Sequence, residues 1–311
     1  MDWNQLRIFL TVADVGSFTQ AGKVLNLSQS AVSRQISGLE QSLTVSLFHR
    51  HASGIVLTEP GVELQRTVRE MSARLNLALT RINEFRENPT GPLRITSSVT
   101  FGSAWLSSRM NEFHKLYPDI TVSLLLVDNL ELDLSLGQAD VAIRFQRQTQ
   151  PNLVQRKVMS INYHVFASED YLKQHGTPKT PEDLDGHDLI VYGEDVSAPV
   201  ANMNWLLEVG RPPDDPREAA LLVNSVYGIY RAVKSGLGIA ALPYYLSEDT
   251  DDLVEILHDL KGPTIDAYLV YPEELRRSKR IAVLRDFLVQ EVDDYKAHLR
   301  TMNKDRKRGR R

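Results

Sequence analysis

The chain has 311 residues, of which 42% are hydrophobic and 24% charged, and this composition favours two or three folded domains over a disordered chain. It has no cysteine, which excludes disulfides, thiolate metal sites and sensing by thiol oxidation, and since no segment is typical of a signal peptide or a membrane span we expect a cytoplasmic protein. The net charge of −4 divides into about −11 for residues 1–295 and about +7 for residues 296–311, so the acidic body argues against a broad surface for polyphosphate.

The first 43 residues follow the order of a helix-turn-helix. An amphipathic helix over 3–15 comes first, a predicted capping box of Ser17 and Gln20 opens a short helix, and residues 26–28 turn the chain into a third helix that Ser28 caps. That third helix has an apolar stripe of Val32, Ile36, Leu39 and Leu43. Its opposite face carries small polar groups and one guanidinium, which suits the major groove of DNA, the alternative being an ordinary solvated face. These polar residues are Ser30, Ser33, Arg34, Ser37 and Gln41.

Residues 47–57 predict a short hairpin with a glycine turn at 52–54, which is the wing of a winged helix. Arg50 at its base is a candidate contact to the phosphate backbone, together with His49 and His51. The two histidines are also compatible with a metal site, but no third ligand is nearby. We therefore interpret the hairpin as part of a DNA-binding domain that spans residues 1–58.

The sequence LSQSAVSRQI at 27–36, together with Leu39-Glu40, Leu47-Phe48-x-Arg50 and Leu57-Thr58-x-x-Gly61, resembles the N-terminal signature of LysR-type transcriptional regulators. The resemblance spans essentially residues 1 to 300. It implies a regulator, not an enzyme, that binds double-stranded promoter DNA in a sequence-specific way. The resemblance also implies a homodimer or homotetramer that responds to a small-molecule effector. We expect RNA polymerase as a further partner. It implies DNA contacts at the start of the third helix, at Gln29, Ser30, Ser33 and Arg34. A further wing arginine of many members is missing, because Ala52 and Ser53 stand there.

A long linker helix is predicted after Thr58, since Glu59-Pro60 is a favourable helix start, and it runs to about residue 87. Apolar residues on it recur at spacings of four and three, which is a heptad seam. The seam consists of Leu64, Val68, Met71, Leu75, Ala78, Ile82 and Phe85. A narrow seam on a charged helix favours self-association over packing on the same chain, and the resemblance also implies dimerisation through this helix. The linker takes residues 59–88, and a hinge follows at 89–92.

Residues 93–300 alternate apolar strands with amphipathic segments, which predicts two α/β lobes with a mostly parallel sheet. The resemblance implies an α+β multidomain fold whose C-terminal domain is similar to periplasmic binding proteins, with an effector between the lobes. Lobe I takes about 93–162 and 268–300, and lobe II about 163–267. The basic segment 301–311 is expected to be a disordered, solvated tail, the alternative being a nonspecific contact to phosphates.

Polar residues follow the predicted strand ends, where open α/β sheets bind ligands. Ser98 and Thr100 lie where the first strand passes into a helix, so they are either receivers of a carboxylate or phosphate, or plain helix caps. Arg144 biases the site toward acids unless it is paired with a local carboxylate such as Asp140. The candidate effector site comprises Ser98, Thr100, Asn129, Arg144, Tyr192 and Ser225, and it predicts an anionic effector and no other cofactor.

Other classes of protein are disfavoured by the motifs. The sequence has no Gly-x-Ser-x-Gly elbow, Walker loop or His-Glu-x-x-His, and a secreted solute-binding protein would not carry the N-terminal DNA module. The letters of a dinucleotide fingerprint at 236–241 follow a helix and lead into a strand, so Gly236 is expected to end that helix. Segments 153–157 and 204–206 resemble a LysR subgroup tied to oxidative stress and envelope genes, whose redox sensing would need a chemistry other than cysteine here.

Overall fold

The structure, a computed structural model, describes residues 1–308 except 52–53, 84–87, 129–130, 194–201, 213, 248–249 and 251. For residues 50, 73, 76–77, 79–83 and 298–308 it describes the backbone only. Contacts divide the chain into two units, one made of residues 1–82 with the segment 135–138, and the other of 83–134 and 139–311. Each unit has a hydrophobic core of its own.

The N-terminal unit is a winged helix-turn-helix followed by a long helix, as the sequence predicts. Phe9 and Phe18 of the first two helices contact the ring of Phe48 in the hairpin, at centroid distances of 5.4 and 6.0 Å. Val32, Ile36 and Leu39 of the third helix are fully buried in the same core, which confirms the predicted apolar stripe. The elements are α1 Trp3–Val15, α2 Phe18–Leu25, α3 Gln29–Leu43, β1 Phe48–His51, β2 Gly54–Leu57 and α4 Glu59–Asn83, with β1 antiparallel to β2.

The helix caps agree with the sequence at Ser28 and Thr58, and only in part at Ser17. Ser17 Oγ accepts from the Gln20 N–H at 3.3 Å, but the return bond of a capping box is not formed among the described residues. A complete capping box lies one helix earlier, between Asp2 and Gln5. Thr58 Oγ1 accepts from the Gly61 N–H at 3.1 Å and donates to the carbonyl of residue 46 at 2.7 Å, so it caps α4 and also fixes the chain before the wing.

The apolar seam of α4 divides into two parts. Val68 is 1% exposed and Leu64 half-buried, and both pack on the core of the N-terminal unit, so these two positions serve the same chain and not only a partner. Met71 and Leu75 are 45% and 43% exposed, and Ala78 is exposed as well. The reason is position, because the first turns of α4 run beside the core whereas the later turns extend past it. The side chain of Ile82 and all of Phe85 lie outside the described residues.

Two lobes make up the C-terminal unit and share one mixed sheet, with strand order β10-β6-β11-β5-β3-β4 and β9 also paired to β6. The strands are β3 Gly91–Ser97, β4 Ile120–Leu126, β5 Val141–Arg144, β6 Leu153–Ser168, β7 Ile190–Tyr192, β8 Leu221–Val223, β9 Ala240–Pro243, β10 Leu253–Ile256 and β11 Thr264–Pro272. The helices are α5 Val99–Phe101, the π-helix Gly102–Leu106, α6 Ser107–Leu116, α7 Glu169–His175, α8 Val226–Lys234 and α9 Lys279–Arg308, with 3₁₀ turns at Glu182–Gly186, Trp205–Leu207, Tyr244–Ser247 and Glu273–Leu275.

The prediction of a mostly parallel sheet is wrong. Strand β3 runs parallel to β4 and β5, and β7 parallel to β8, but β11 runs antiparallel to β5 and β6, and β6 antiparallel to β9 and β10. The cause is β6, a strand of 16 residues whose first half pairs with β11 and whose second half pairs with β9 and β10. The partner changes between Asn162 and Tyr163. The chain thus passes between lobes along two antiparallel strands.

The basic C-terminal segment forms a helix where the sequence analysis predicts disorder. Helix α9 continues through residues 301–308, while 309–311 lie outside the described residues. Methionine, lysine and arginine are good helix formers, and the segment has no proline and no glycine before Gly309, so α9 has no reason to end earlier. Within the described part of the chain, no helix combines the length and the apolar character that a membrane span requires.

Candidate functional site

The exposed face of α3 carries the predicted DNA contacts. Ser28 Oγ accepts from the backbone N–H of residue 31 at 3.1 Å and lies 3.0 Å from Ser30 Oγ, so the first turn is held by its own hydroxyls. Gln29, Ser30 and Arg34 are exposed and Ser33 is half-buried. The Arg34 Nε donates to the carbonyl of Ser30 at 3.4 Å, and among the described residues its terminal nitrogens have no partner. This arrangement leaves a guanidinium fork available to a base edge.

Glu40 connects α3 to the wing and was not identified from the sequence as a functional residue. Its Oε1 accepts from the backbone N–H of Leu47 at 2.7 Å and of Phe48 at 3.3 Å, so one carboxylate fixes the first strand of the wing to α3. The sequence shows an acid, Glu40, beside the buried Leu39. Its bonding partners, however, come after a turn, and helical periodicity does not predict their position.

The wing itself is only partly described. Only the backbone of Arg50 is described, and the turn at 52–53 lies outside the described residues. His49 and His51 are exposed, with ring centroids 6.2 Å apart. Of the residues described, no three histidines or acids are grouped closely enough to hold a metal ion.

A carboxylate absent from the predicted effector site stands at its centre. Asp128 Oδ1 accepts from the Val99 N–H at 2.9 Å, and Asp128 Oδ2 accepts from Ser225 Oγ at 3.2 Å. Val99 begins α5 in lobe I, and Ser225 immediately precedes α8 in lobe II, so a single exposed side chain joins the two lobes. The position predicted to receive an external anion is therefore held by an internal one.

The neighbouring candidates differ in their accessibility. Ser98 Oγ accepts from the Phe101 N–H at 3.4 Å, which makes Ser98 a helix cap, and Thr100 is only 4% exposed. Tyr192 ends β7 and is held by paired bonds of 2.9 Å between its backbone and the side-chain amide of Asn204. Burial raises the pKa of the Tyr192 phenol, and the charge of Asp128 raises it further. Asn129 lies outside the described residues.

An aromatic cluster lies directly behind the turn at 98–100. The ring of Phe101 stacks on Trp105 at 4.9 Å and meets Phe145 and Tyr245 edge-on at 5.6 and 5.7 Å. Gly102 starts the π-helix, and a Cβ there would lie 2.1 Å from the side chain of Leu126, so a larger residue requires that side chain to shift. Burial raises the pKa of the Tyr245 phenol well above its ordinary value, so this residue stays neutral. The cluster gives the turn a rigid support.

Arg144 lies in a separate place from the other candidates. It is 8% exposed, and its Nη2 donates to the carbonyl of Leu132 at 2.8 Å. The predicted alternative, a pair with a local carboxylate such as Asp140, is met by a different acid: Asp140 accepts from the backbone N–H of Arg94 at 2.7 Å, and Arg144 Nη1 lies 3.8 Å from Glu131 Oε1. The cavity that Arg144 lines includes none of the other candidate residues. The structure therefore brings Val99, Asp128 and Ser225 together between the lobes, with Tyr192 near the charge of Asp128, and sets Arg144 apart.

The dinucleotide-like segment has the structure that the sequence predicts. Gly236 follows α8 with a φ of +85°, and its N–H donates to the carbonyl of Val233 at 3.0 Å, so it ends the helix. At Gly238 a Cβ would lie 2.3 Å from the carbonyl of Asp188, and β9 follows. Its glycines therefore serve chain packing, and the segment opens no helix toward a phosphate.

Comparison with known proteins identifies both parts of the chain. Residues 3–62 match the bacterial regulatory helix-turn-helix protein family, lysR type, and residues 86–293 match the LysR substrate binding domain. An HTH-type transcriptional regulator of Xanthomonas campestris pv. campestris is 29% identical over 299 residues, which cover 94% of this chain and 86% of that protein. CrgA of Neisseria meningitidis serogroup C is 27% identical over 292 residues, covering 93% of this chain and 96% of CrgA.

Solved structures agree with this assignment. The structure of CrgA from Neisseria meningitidis is similar with a TM-score of 0.56 and 27% identity, over 94% of this chain and 99% of that one. Full-length CbnR in complex with its target DNA has a TM-score of 0.63 at 20% identity, covering 89% and 97%, and at that identity the likeness concerns the fold alone. These similarities single out no subgroup, so the resemblance to oxidative-stress regulators stays a prediction. The chain belongs to the LysR family and is a DNA-binding transcriptional regulator with a C-terminal effector-binding domain.

Proposed function

We propose that this regulator reads its promoter through the polar face of α3, with Gln29, Ser30, Ser33 and Arg34 as contacts and Arg50 on the wing. The exposed first turn of α3 and the unbonded terminal nitrogens of Arg34 support the proposal. We assign the DNA-binding domain to residues 1–58, the linker to 59–88, the hinge to 89–92 and the effector domain to 93–300, with the lobe limits that the sequence predicts. Because the target is promoter DNA, we propose a cytoplasmic location, with RNA polymerase as the partner of the DNA-bound form.

Self-association through the second part of the α4 seam belongs to the same proposal. Met71 and Leu75 are large apolar residues with nearly half of their surface exposed, at the spacing of a coiled coil. A second copy of the chain provides a matching apolar seam, and a homodimer has the two-fold symmetry that paired half-sites in DNA require. A homotetramer follows if two such dimers associate.

We propose that the effector binds between the two lobes at Asp128, a place that we call the Asp128 cleft. The hydrogen bonds of Asp128 to both lobes support this proposal. The Asp128 carboxylate bonds Val99 in lobe I and Ser225 in lobe II, so a ligand that enters between the lobes must replace or compete with one of these bonds. Ligand binding then changes the hydrogen bonds between the two lobes. Allosteric control requires such a difference in contacts between the ligand-free and the ligand-bound state. An anionic effector takes over the Val99 N–H only if Asp128 withdraws. A carboxylate group of a ligand is therefore better accommodated at Arg144 than at the Val99 N–H.

A thermal-shift screen of small metabolites on the whole protein tests the cleft. A ligand at a hundredfold excess over its Kd stabilises the folded state by about 2.7 kcal/mol, which raises Tm by a few degrees. We expect Asp128→Asn to increase the shift of a cleft ligand, because the ligand no longer competes with a charged acceptor for the Val99 N–H. Asp170→Asn, a side chain 85% exposed on α7, is the matched control and retains the shift. A shift that persists unchanged in Asp128→Asn would place the effector elsewhere.

A further inference from the structure

The described part of lobe I contains a polar cavity that is separate from the Asp128 cleft. Its volume is about 140 Å³, and four aliphatic side chains complete a wall whose polar members are Glu131, Asp133, Arg144, Gln148 and Gln150. None of these residues takes part in the bonds between Val99, Asp128 and Ser225. The cavity is therefore a second place where a small molecule can be held, and it does not depend on the proposed cleft.

The guanidinium of Arg144 supplies the positive end of this cavity. The residue is 8% exposed, and of the five donors of a guanidinium it uses one on the carbonyl of Leu132, at 2.8 Å. The nearest carboxylate oxygen, on Glu131, is 3.8 Å away, which is too far for a hydrogen bond. Burial lowers the pKa of Arg144 and the charge of Glu131 opposes this. A buried cation with spare donors favours a carboxylate, which accepts two parallel N–H bonds.

Two acids supply the negative end. Glu131, whose side chain is 62% exposed, and Asp133 line the same cavity, so the charges of its wall sum to −1. A plain carboxylate ligand would bring a second net negative charge beside these acids. A ligand with both a carboxylate and an ammonium group satisfies Arg144 at one end and the acids at the other. The charge pattern therefore fits a zwitterion better than a simple acid.

The volume sets the size of the ligand. Water occupies about 30 Å³ per molecule in the liquid, so the cavity corresponds to about five water molecules. A ligand of about five to seven non-hydrogen atoms fills that space. Glycine, alanine and serine have this size and carry both charges. We propose that this cavity is a binding site for a small α-amino acid, with the carboxylate on Arg144 and the ammonium toward Glu131 and Asp133.

Isothermal titration calorimetry of the full chain with L-alanine tests the proposal, with propionate and ethylamine as probes that each lack one charged group. We expect saturable binding of L-alanine, and binding at least about tenfold weaker for each of the other two, because each loses one charge pair. L-leucine, whose side chain exceeds the cavity and would remain partly outside it, should bind more weakly than L-alanine. Equal binding of propionate and L-alanine would overturn the assignment of the acids, and an absence of binding by glycine, L-alanine and L-serine would overturn the site.

Two substitutions locate the binding. Arg144→Lys keeps the positive charge but loses the planar fork, and should weaken L-alanine binding at least about tenfold. Glu131→Gln should lower the preference of L-alanine over propionate, and because Glu131 is largely exposed this variant decides the matter if Arg144→Lys fails to fold. Asp170→Asn is the control and should bind as the wild type does. L-alanine binding that is unchanged in both variants would overturn the proposal, whatever the outcome at the Asp128 cleft.

Discussion

Arg217 shows how a single buried charge organises lobe II. Its side chain is 5% exposed and donates to Asp185 Oδ1 at 2.6 Å and to the carbonyls of Pro181, Leu206 and Val209 at 2.8, 3.1 and 2.6 Å. Two chain segments, 181–185 and 206–209, are thus joined by one guanidinium. No local pattern predicts such a residue, because each of its partners is defined only once the lobe has folded.

Replacing Arg217 should therefore destabilise the protein strongly. Arg217→Met leaves buried carbonyls without a donor, and we expect a loss of about 3–5 kcal/mol in the free energy of unfolding of the C-terminal unit, measured by urea denaturation. The control is Arg211→Met, because Arg211 also bonds Asp185 but is 26% exposed, and its loss should cost about 1 kcal/mol or less. Equal losses in the two variants would contradict the role given to Arg217.

Arg34 carries the prediction about base readout. Arg34→Ala should cost about 1–3 kcal/mol in specific binding and relax the preference at one base pair, because the guanidinium fork recognises a guanine edge. Fluorescence anisotropy against the operator and single-base variants of it measures both effects, with Arg66→Ala, a guanidinium 64% exposed on α4, as the control. If affinity falls by the same factor on every sequence, Arg34 contacts phosphate instead.

The functional residues that the sequence predicts each follow from one local element. Those that it misses bond to residues farther along the chain. The exposed face of α3 follows from helical periodicity alone, so Ser30 and Arg34 were found. Asp128 bonds residues 29 and 97 positions away, and Glu40 bonds the chain beyond a turn. Arg144 was placed at the right strand end but in the wrong cavity, because no sequence pattern indicates that residues 131–134 lie against it.

Among the elements, helices were predicted well and the sheet less well. The three helices of the N-terminal unit and the start of α4 follow the predicted periodicity, and the caps at Ser28 and Thr58 form as predicted. The sequence predicts a strand only over residues 163–167 in the second half of β6, which are mostly apolar, whereas the first half alternates with exposed residues. Its antiparallel pairing with β11 depends on residues more than a hundred positions away, which no local pattern contains.

The exposed part of the α4 seam carries the prediction about assembly. Leu75→Glu should place an unpaired charge in the interface of each protomer and raise the Kd of the dimer at least about a hundredfold, which corresponds to about 2.7 kcal/mol. Sedimentation velocity as a function of concentration measures this. Val62→Glu is the matched control, since Val62 is 55% exposed on the same helix but lies off the seam, and it should remain a dimer. An unchanged mass for Leu75→Glu would show that the seam serves only its own chain.

Across the whole molecule, charge and connectivity restrict where regulation can act. The acidic body confines attraction for DNA to small elements such as α3 and the wing, so specific binding should depend on a few side chains and on salt concentration. Effector binding and DNA binding belong to different parts of one chain, and a coupling between them requires an element that the effector changes. We propose the bonds of Asp128 to Val99 and Ser225 as that element within the effector domain.

Footprint titration of the promoter region beside the protein's own gene, at fixed salt and with and without a ligand from the thermal-shift screen, tests the central claim most directly. The account predicts a discrete protected site for the wild type and a change of at least about fivefold in its Kd when the ligand is added. That change should be lost in Asp128→Asn and retained in Asp170→Asn. Protection without a discrete site, or a ligand effect of full size in Asp128→Asn, would contradict it.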